Sequence, residues 1–184
     1  LQGSPIAKSR HPLALVVVPT RELAVQVGDV FKQFSKALLD PITTRVVYGG
    51  VSINPQMKGM YGVQVLVATP GRLLDLIDAN AVNLYTVKTL VLDEADKMLD
   101  MGFVPDIRKI FNATNKDQQM LMFSATLDPD VSKIAEEFLK SPTKISIEPQ
   151  GLGHINIEQT MYYVDSQSHK INLLDHFLSQ DNVN

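Results

Sequence analysis

Six short apolar runs punctuate the chain: LALVVV (13–18), TTRVVY (43–48), VQVLVA (63–68), VKTLVL (87–92), QMLMF (119–123) and TKISI (143–147). Several lack a clean in–out alternation. That pattern belongs to strands covered on both faces, as in a parallel sheet. Between the runs, apolar residues recur at helical spacing. Leu23, Val27, Val30, Phe31, Phe34 and Leu38 form one such stripe, and Val131, Ile134, Ala135, Phe138 and Leu139 form another. Pro70 behind Thr69, and Pro129 behind Asp128, are placed as first-turn prolines after N-caps. Strand–helix alternation of this kind predicts an α/β fold: a doubly wound, mainly parallel sheet with helices on both faces.

After residue 147 the texture changes. EPQGLGH (148–154) has the glycines and proline of a linker. INIEQTMYYV then reads as a strand, and SHKINLLDHFLS as a helix with Ile171, Leu174 and Leu178 on one face. So few residues cannot bury a core of their own, so they are expected to open a second domain. In the alternating strand, one of Tyr162 and Tyr163 is expected in a core and the other on a surface. Met98, Met101, Met120 and Met122 are expected to fill core space.

Composition narrows the chemistry. With 184 residues, 45% of them apolar, a full domain core can form. The net charge of −3 means that phosphates must be held by local geometry rather than by a basic surface. Absence of cysteine excludes disulfides and thiolate metal sites and suits a reducing compartment, so a cytoplasmic location is expected. No apolar run is long enough to span a bilayer, and LQGSPIAKSRHP has no apolar centre of a secretory leader. The four histidines are scattered, without zinc-helix spacing.

Five polar clusters fall just past the ends of five apolar runs: PTRE, GG (Gly49 and Gly50), TPGR, DEAD and SAT (124–126). Ligands of open parallel sheets bind along that edge. DEAD packs Asp93, Glu94 and Asp96 into four positions, where like charges repel unless a cation or basic partner is near. Asp93, ending a buried strand, can reach a hydrated Mg²⁺ carried by nucleotide phosphates, since magnesium takes one or two carboxylates plus waters and phosphate oxygens. Glu94 could orient and deprotonate a water for attack on a γ-phosphate. Asp96 is spaced to turn away and accept a bond from a neighbouring loop. The plainer reading is an acidic helix N-terminus that complements the helix dipole.

PTREL and TPGR each put a threonine and an arginine at the mouth of a helix, where free backbone N–H groups suit phosphates. Arg21 and Arg72 would add charged donors, and Gly49, Gly50 and Gly71 would let a sugar–phosphate backbone approach closely. None of these groups reads a base, so the expected contact is with the nucleic-acid backbone, with little sequence preference. The plainer reading makes Thr20 and Thr69 simple helix caps, Gly49–Gly50 a turn, and Ser124 and Thr126 the end of a strand.

PTREL (19–23), GG (49–50), TPGR (69–72), DEAD (93–96) and SAT (124–126), in this order and at these separations, resemble the first RecA-like domain of a DEAD-box ATP-dependent RNA helicase, a fold of P-loop NTPase type. The resemblance covers residues 13 to about 147, and the tail looks like the first strand and helix of that family's second RecA-like domain. It implies a domain over residues 1–147, a linker over 148–154 and a truncated second domain over 155–184. It implies that Asp93 binds Mg²⁺–ATP through water, that Glu94 is the catalytic base, and that Asp96 bonds to Ser124 or Thr126 and so couples hydrolysis to RNA binding. Pro19, Thr20, Arg21, Gly49, Gly50, Thr69, Gly71 and Arg72 would line the track for a single RNA strand. The implied activity couples ATP hydrolysis to local unwinding or remodelling of an RNA duplex.

A phosphate-cradling G-x-x-x-x-G-K-[ST] loop is not found. GSPIAKS (3–9) lacks the second glycine and the spacing, and it follows no strand. In the resembled family that loop lies upstream of PTREL. The chain therefore reads as an interior slice of an enzyme, and these residues alone are expected to turn over no ATP and to be poorly stable. Two further readings stand beside it. One is a non-catalytic module that binds RNA backbone or a protein. The other is a related helicase acting on DNA, although the spelling of DEAD, PTREL and SAT favours RNA. The sequence carries no signal for a protein partner.

Overall fold

The computed structural model describes residues 10–147 and 160–179. Its contacts divide the chain into two units, Leu1–Pro142 and Thr143–Asn184. The expected linker and the GSPIAKS stretch lie outside the described residues.

The first unit is built on five strands: β1 (Ala14–Val17), β2 (Thr44–Val47), β3 (Val65–Ala68), β4 (Thr89–Leu92) and β5 (Gln119–Met122). They run parallel in the order β2-β3-β1-β4-β5. The chain leaves β1 towards one side of the sheet and later returns to the other, so the switch in direction falls beside β1. Strands β1 and β3, flanked on both sides, are buried at every position, as their unbroken apolar runs require. Strand β5, at an edge, is only partly buried.

Alternation along the strands divides the core in two. Leu15, Val17, Leu66, Ala68, Leu90 and Leu92 face one side, where α3 (Pro70–Asp78), α4 (Ala95–Asp100), α5 (Val104–Ala113) and α6 (Pro129–Phe138) supply Leu73, Leu76, Met98, Ile107, Ile110, Ile134 and Phe138. Ala14, Val16, Val18, Val65 and Val67 face the other side, under Leu23, Ala24, Val27 and Phe31 of α1 (Arg21–Lys36). Helices therefore cover both faces. A short α2 (Asn54–Lys58) links β2 to β3.

Helix α1 lies very close to the sheet. A Cβ added at Gly28 would overlap Val46 Cγ2 of β2. The buried side of α1 is consequently narrow, made of Ala24, Gly28 and Ser35 with Leu23, Val27 and Phe31 alongside. Val30 and Phe34, expected on the apolar stripe, stay exposed. The two first-turn prolines are as expected. Pro70 and Pro129 start α3 and α6, and the Asp128 carboxylate accepts the N–H groups of Asp130 and Val131.

The register places all strand ends on one row. Val47 pairs with Ala68, Ala68 with Val17, Val17 with Leu92, and Leu92 with Met122. Five strands about 4.8 Å apart make a rim about 19 Å wide.

Three expectations change. TKISI (143–147) is not a strand, and Ile145 and Ile147 are exposed. Residues 160–164 are not a strand either, and Tyr162 and Tyr163 are both exposed. An apolar or alternating pattern becomes a strand only where a neighbour supplies the ladder of hydrogen bonds, and the described residues give these segments none. Met98 is buried and Met120 and Met122 pack on the core, but Met101, at the end of α4, is exposed.

The second unit contains α7 (Gln167–Leu178), whose N-terminus is capped by the Ser166 hydroxyl accepting the His169 N–H at 3.1 Å. Tyr162 packs its ring on Phe177, with centroids 4.9 Å apart. Ile171, Leu174 and Leu178 are exposed.

Candidate active site and nucleic-acid interface

The five polar clusters emerge from the shared row of strand ends, and backbone hydrogen bonds continue the sheet into them. Val18 N–H donates to Ala68 O (3.0 Å), Thr69 N–H to Val47 O (3.1 Å), Asp93 N–H to Val17 O (3.0 Å) and Phe123 N–H to Leu92 O (2.8 Å). Four of the five clusters are thus anchored on the strand next to their own, and the exception is the Gly49–Gly50 pair after β2.

The acidic cluster is the most constrained. Asp93 follows β4, and its Oδ1 accepts the Glu94 N–H at 3.0 Å. Glu94 then takes the left-handed backbone conformation, φ 53° and ψ 52°, at the N-cap of α4. A non-glycine residue held there costs about 1–3 kcal/mol and persists only where its surroundings enforce it. The next residue is the enforcement: Ala95 N–H donates to Phe123 O at 3.0 Å, pinning the turn to the end of β5. The Glu94 side chain is 42% exposed overall, and the Lys97 ammonium stands 3.3 Å from its Oε2. That oxygen is shielded from solvent and has no well-directed hydrogen bond among the described residues.

Asp96 is bound to the SAT loop. Its Oδ2 accepts the Ala125 N–H (3.1 Å), the Thr126 N–H (3.1 Å) and the Thr126 hydroxyl (3.2 Å). Its Oδ1 accepts the Lys97 N–H at 2.9 Å, and its own N–H donates to the Ser124 hydroxyl oxygen at 3.3 Å. Burial alone would raise the pKa of this carboxyl. The donors of Lys97, Thr126 and Ser124 outweigh it and hold the group below its ordinary value of 3.8.

The other clusters divide between capping and availability. The Thr20 side chain accepts the Leu23 N–H at 3.3 Å, so it does cap α1. Thr69 stands at the N-cap of α3 with extended backbone but makes no capping bond with its side chain. Pro19 is buried, while Arg21 and Gly71 are exposed. Gly49 and Gly50 face open space, and Gly50 has φ +79°, which explains the second glycine by conformation rather than by crowding. Arg21 makes no hydrogen bond or ion pair among the described residues, and its guanidinium carbon lies 4.7 Å from the centre of the Tyr48 ring. Arg72, in contrast, is buried. Its Nη2 donates to Val51 O at 2.8 Å and its Nε to Asp75 Oδ2 at 3.3 Å, leaving Nη1 shielded and unpartnered. It braces the loop after Gly50.

Two side chains of consequence lie outside the motifs. Gln56 of α2 is buried and clasps the backbone of Tyr48, its Oε1 accepting the Tyr48 N–H and its Nε2 donating to Tyr48 O, both at 3.2 Å. Neither Gln56 nor Tyr48 carries a spacing that the sequence alone would mark.

A parallel sheet with acidic, hydroxyl and arginine groups gathered on its carboxyl rim is a ligand-binding α/β domain. The family model for the DEAD/DEAH box helicase matches residues 3–134, and the chain belongs to that family. It is 43% identical over 164 residues to the ATP-dependent RNA helicase dbp2 of Schizosaccharomyces pombe, covering 88% of this chain and 30% of that protein. It is 42% identical over 170 residues to DEAD-box ATP-dependent RNA helicase 20 of Arabidopsis thaliana, covering 92% and 34%. The chain thus spans about a third of the length of these curated relatives. Among solved structures it resembles the yeast DEAD-box splicing factor Prp28, with a TM-score of 0.69 and 33% identity over 92% of this chain and 40% of that one. A DEAD box protein from the hyperthermophile Methanococcus jannaschii gives 0.68 and 35%, over 96% and 47%.

Proposed function

We propose that this chain supplies the hydrolytic and strand-holding rim of an ATP-dependent RNA helicase, in which ATP hydrolysis drives local remodelling of an RNA duplex. The observation that carries the reading is the Asp96 carboxylate, which gathers three donors of the SAT loop on one oxygen beside the candidate base. An acidic helix start serving only the dipole has no need of that loop. In this reading Asp96, Ser124 and Thr126 form a latch: a shift of the SAT loop on RNA binding is felt directly at the acidic turn.

Asp93 fits a hydrated Mg²⁺. Its Oδ2 is without a partner among the described residues, and those residues offer no cage of three metal-ligating side chains. One carboxylate, waters and phosphate oxygens are the set that magnesium takes. When bound, the ion would neutralise charge on the phosphates. Glu94, whose Oε2 is shielded and faces the Lys97 ammonium without a well-directed hydrogen bond, would orient the attacking water and take its proton. Thr20, Arg21, Gly49, Gly50, Thr69 and Gly71 would follow an RNA backbone along the rim, with Pro19 shaping the turn and the buried Arg72, expected on the track, bracing the loop from behind instead of meeting the strand itself. Residues 148–154 would form a linker and residues 155–184 the opening of a second RecA-like unit, and the protein would work in the cytoplasm.

The test is RNA-stimulated ATP hydrolysis by the complete protein, on single-stranded RNA and on DNA of the same sequence. Stimulation by RNA and not by DNA is expected. Glu94→Gln should retain ATP binding and lose turnover by at least two orders of magnitude, the usual range for a general base. An unchanged rate would remove Glu94 from that role.

A further inference from the structure

Among the described residues the exposed Arg21 guanidinium is held by an aromatic face alone, and that face is itself fixed from behind. Tyr48 is the first residue after β2 and is half-buried. Its ring lies under the guanidinium, 4.7 Å from ring centre to Cζ. Its backbone N–H and carbonyl are both taken by the amide of Gln56, which is only 8% exposed. This two-bond clasp imitates a strand partner on a stretch of chain that has left the sheet. Three residues on, the same loop is gripped again by Arg72 Nη2 on Val51 O.

We infer that Tyr48 is a positioning residue for nucleic-acid binding: its ring presets the Arg21 guanidinium, and the Gln56 clasp presets the ring. The inference rests on the reading of the rim as an RNA track. A free arginine on a surface samples many rotamers, and ordering it on a phosphate opposes binding. A stacked arginine has lost that freedom beforehand, and stacking leaves the edge of the guanidinium, with its N–H donors, open to phosphate oxygens. Tyr48 acts here through its π-face, so its hydroxyl is dispensable. Gln56 acts one step further back, and its replacement by an apolar residue strands two backbone polar groups.

The test is binding of a fluorescein-labelled oligouridine to the complete protein, by anisotropy across a range of salt, with a non-hydrolysable ATP analogue present. Arg21→Ala should weaken binding and reduce the salt slope by about 0.7, one phosphate contact on a single strand. Tyr48→Leu should weaken binding about two- to fivefold, the range of an exposed cation–π contact. Tyr48→Phe should bind as the parent does, and Gln56→Leu should reproduce the Tyr48→Leu loss. In an Arg21→Ala background, Tyr48→Leu should add nothing. Full retention of affinity in Tyr48→Leu, or an equal loss with Arg21 absent, overturns the positioning role while leaving the track. If Arg21→Ala itself changes neither affinity nor slope, the track reading falls, and the positioning role with it. Tyr48→Phe guards against misfolding, because it keeps the ring and its packing.

Discussion

Replacing Asp96 by asparagine isolates the latch between the acidic turn and the SAT loop. The carboxylate has donors on both oxygens: Ala125 N–H, Thr126 N–H and the Thr126 hydroxyl on Oδ2, and Lys97 N–H on Oδ1. An asparagine keeps one acceptor oxygen. If that oxygen faces the SAT loop, its NH₂ meets the Lys97 N–H; if it is turned the other way, the NH₂ opposes three donors. Bonds to a charged acceptor contribute about 1.5–3 kcal/mol each and neutral ones about 0.5–1.5 kcal/mol. The group is partly solvated, which cuts these values to the low end. The net loss is then about 1–2 kcal/mol, a factor of about 5–30 in a local opening equilibrium. Hydrogen exchange at the Ala125 and Thr126 amides should quicken by that factor at neutral pH, with amides in the centre of β1 unchanged. The pH dependence follows from the lowered pKa. The folded carboxyl holds its proton less tightly than the unfolded one, whose ordinary value is 3.8. The stabilisation is therefore complete above that value and disappears as pH falls through the lower, folded one. Parent and variant should diverge at neutral pH and converge in acid. Equal exchange of the two amides at neutral pH, or a difference that persists in strong acid, would refute the argument.

Other substitutions probe the frame. Gly28→Ala places a methyl against Val46, so despite alanine's better helix propensity it should destabilise by about 1–3 kcal/mol in chemical denaturation. A neutral or stabilising result would mean that α1 rides higher on the sheet. Leu90→Ala empties a fully buried site on β4 and should lower stability by about 2–5 kcal/mol, reported by the same denaturation curves. Thr69→Val removes a hydroxyl that caps nothing, so it should leave stability within about 0.5 kcal/mol, and a larger loss would show that the hydroxyl is structural.

The sheet was readable because its central strands are buried on both faces, and burial of that kind writes unbroken apolar runs such as LALVVV. The failures have a common physical origin. TKISI and MYYV have the right side chains for a strand, but strand formation depends on a neighbour, about which a local pattern says nothing. Val30 and Phe34 keep helical spacing with Leu23 and Phe31, yet the contact face of α1 was decided by Gly28, whose missing side chain lets the helix settle onto Val46. At the rim, spacing turned Asp96 towards a neighbouring loop, and only the family resemblance named that loop as SAT. The destination of the Arg72 side chain was illegible. Its neighbours Val51 and Asp75 are brought together only by the fold. The left-handed turn at Glu94 was equally hidden, since glutamate carries no preference for it.

Because all five strands stop on the same rung, their lengths are as much a part of the site as the motifs themselves. One extra residue inside β4 would carry Asp93 and Glu94 past their neighbours by about 3.3 Å and reverse the side to which each projects, with every motif still spelled correctly. Insertions should therefore be tolerated in the turns at the opposite end of the sheet and excluded from the strands. A search for functional members that relied on motif spelling alone would admit chains whose parts no longer line up.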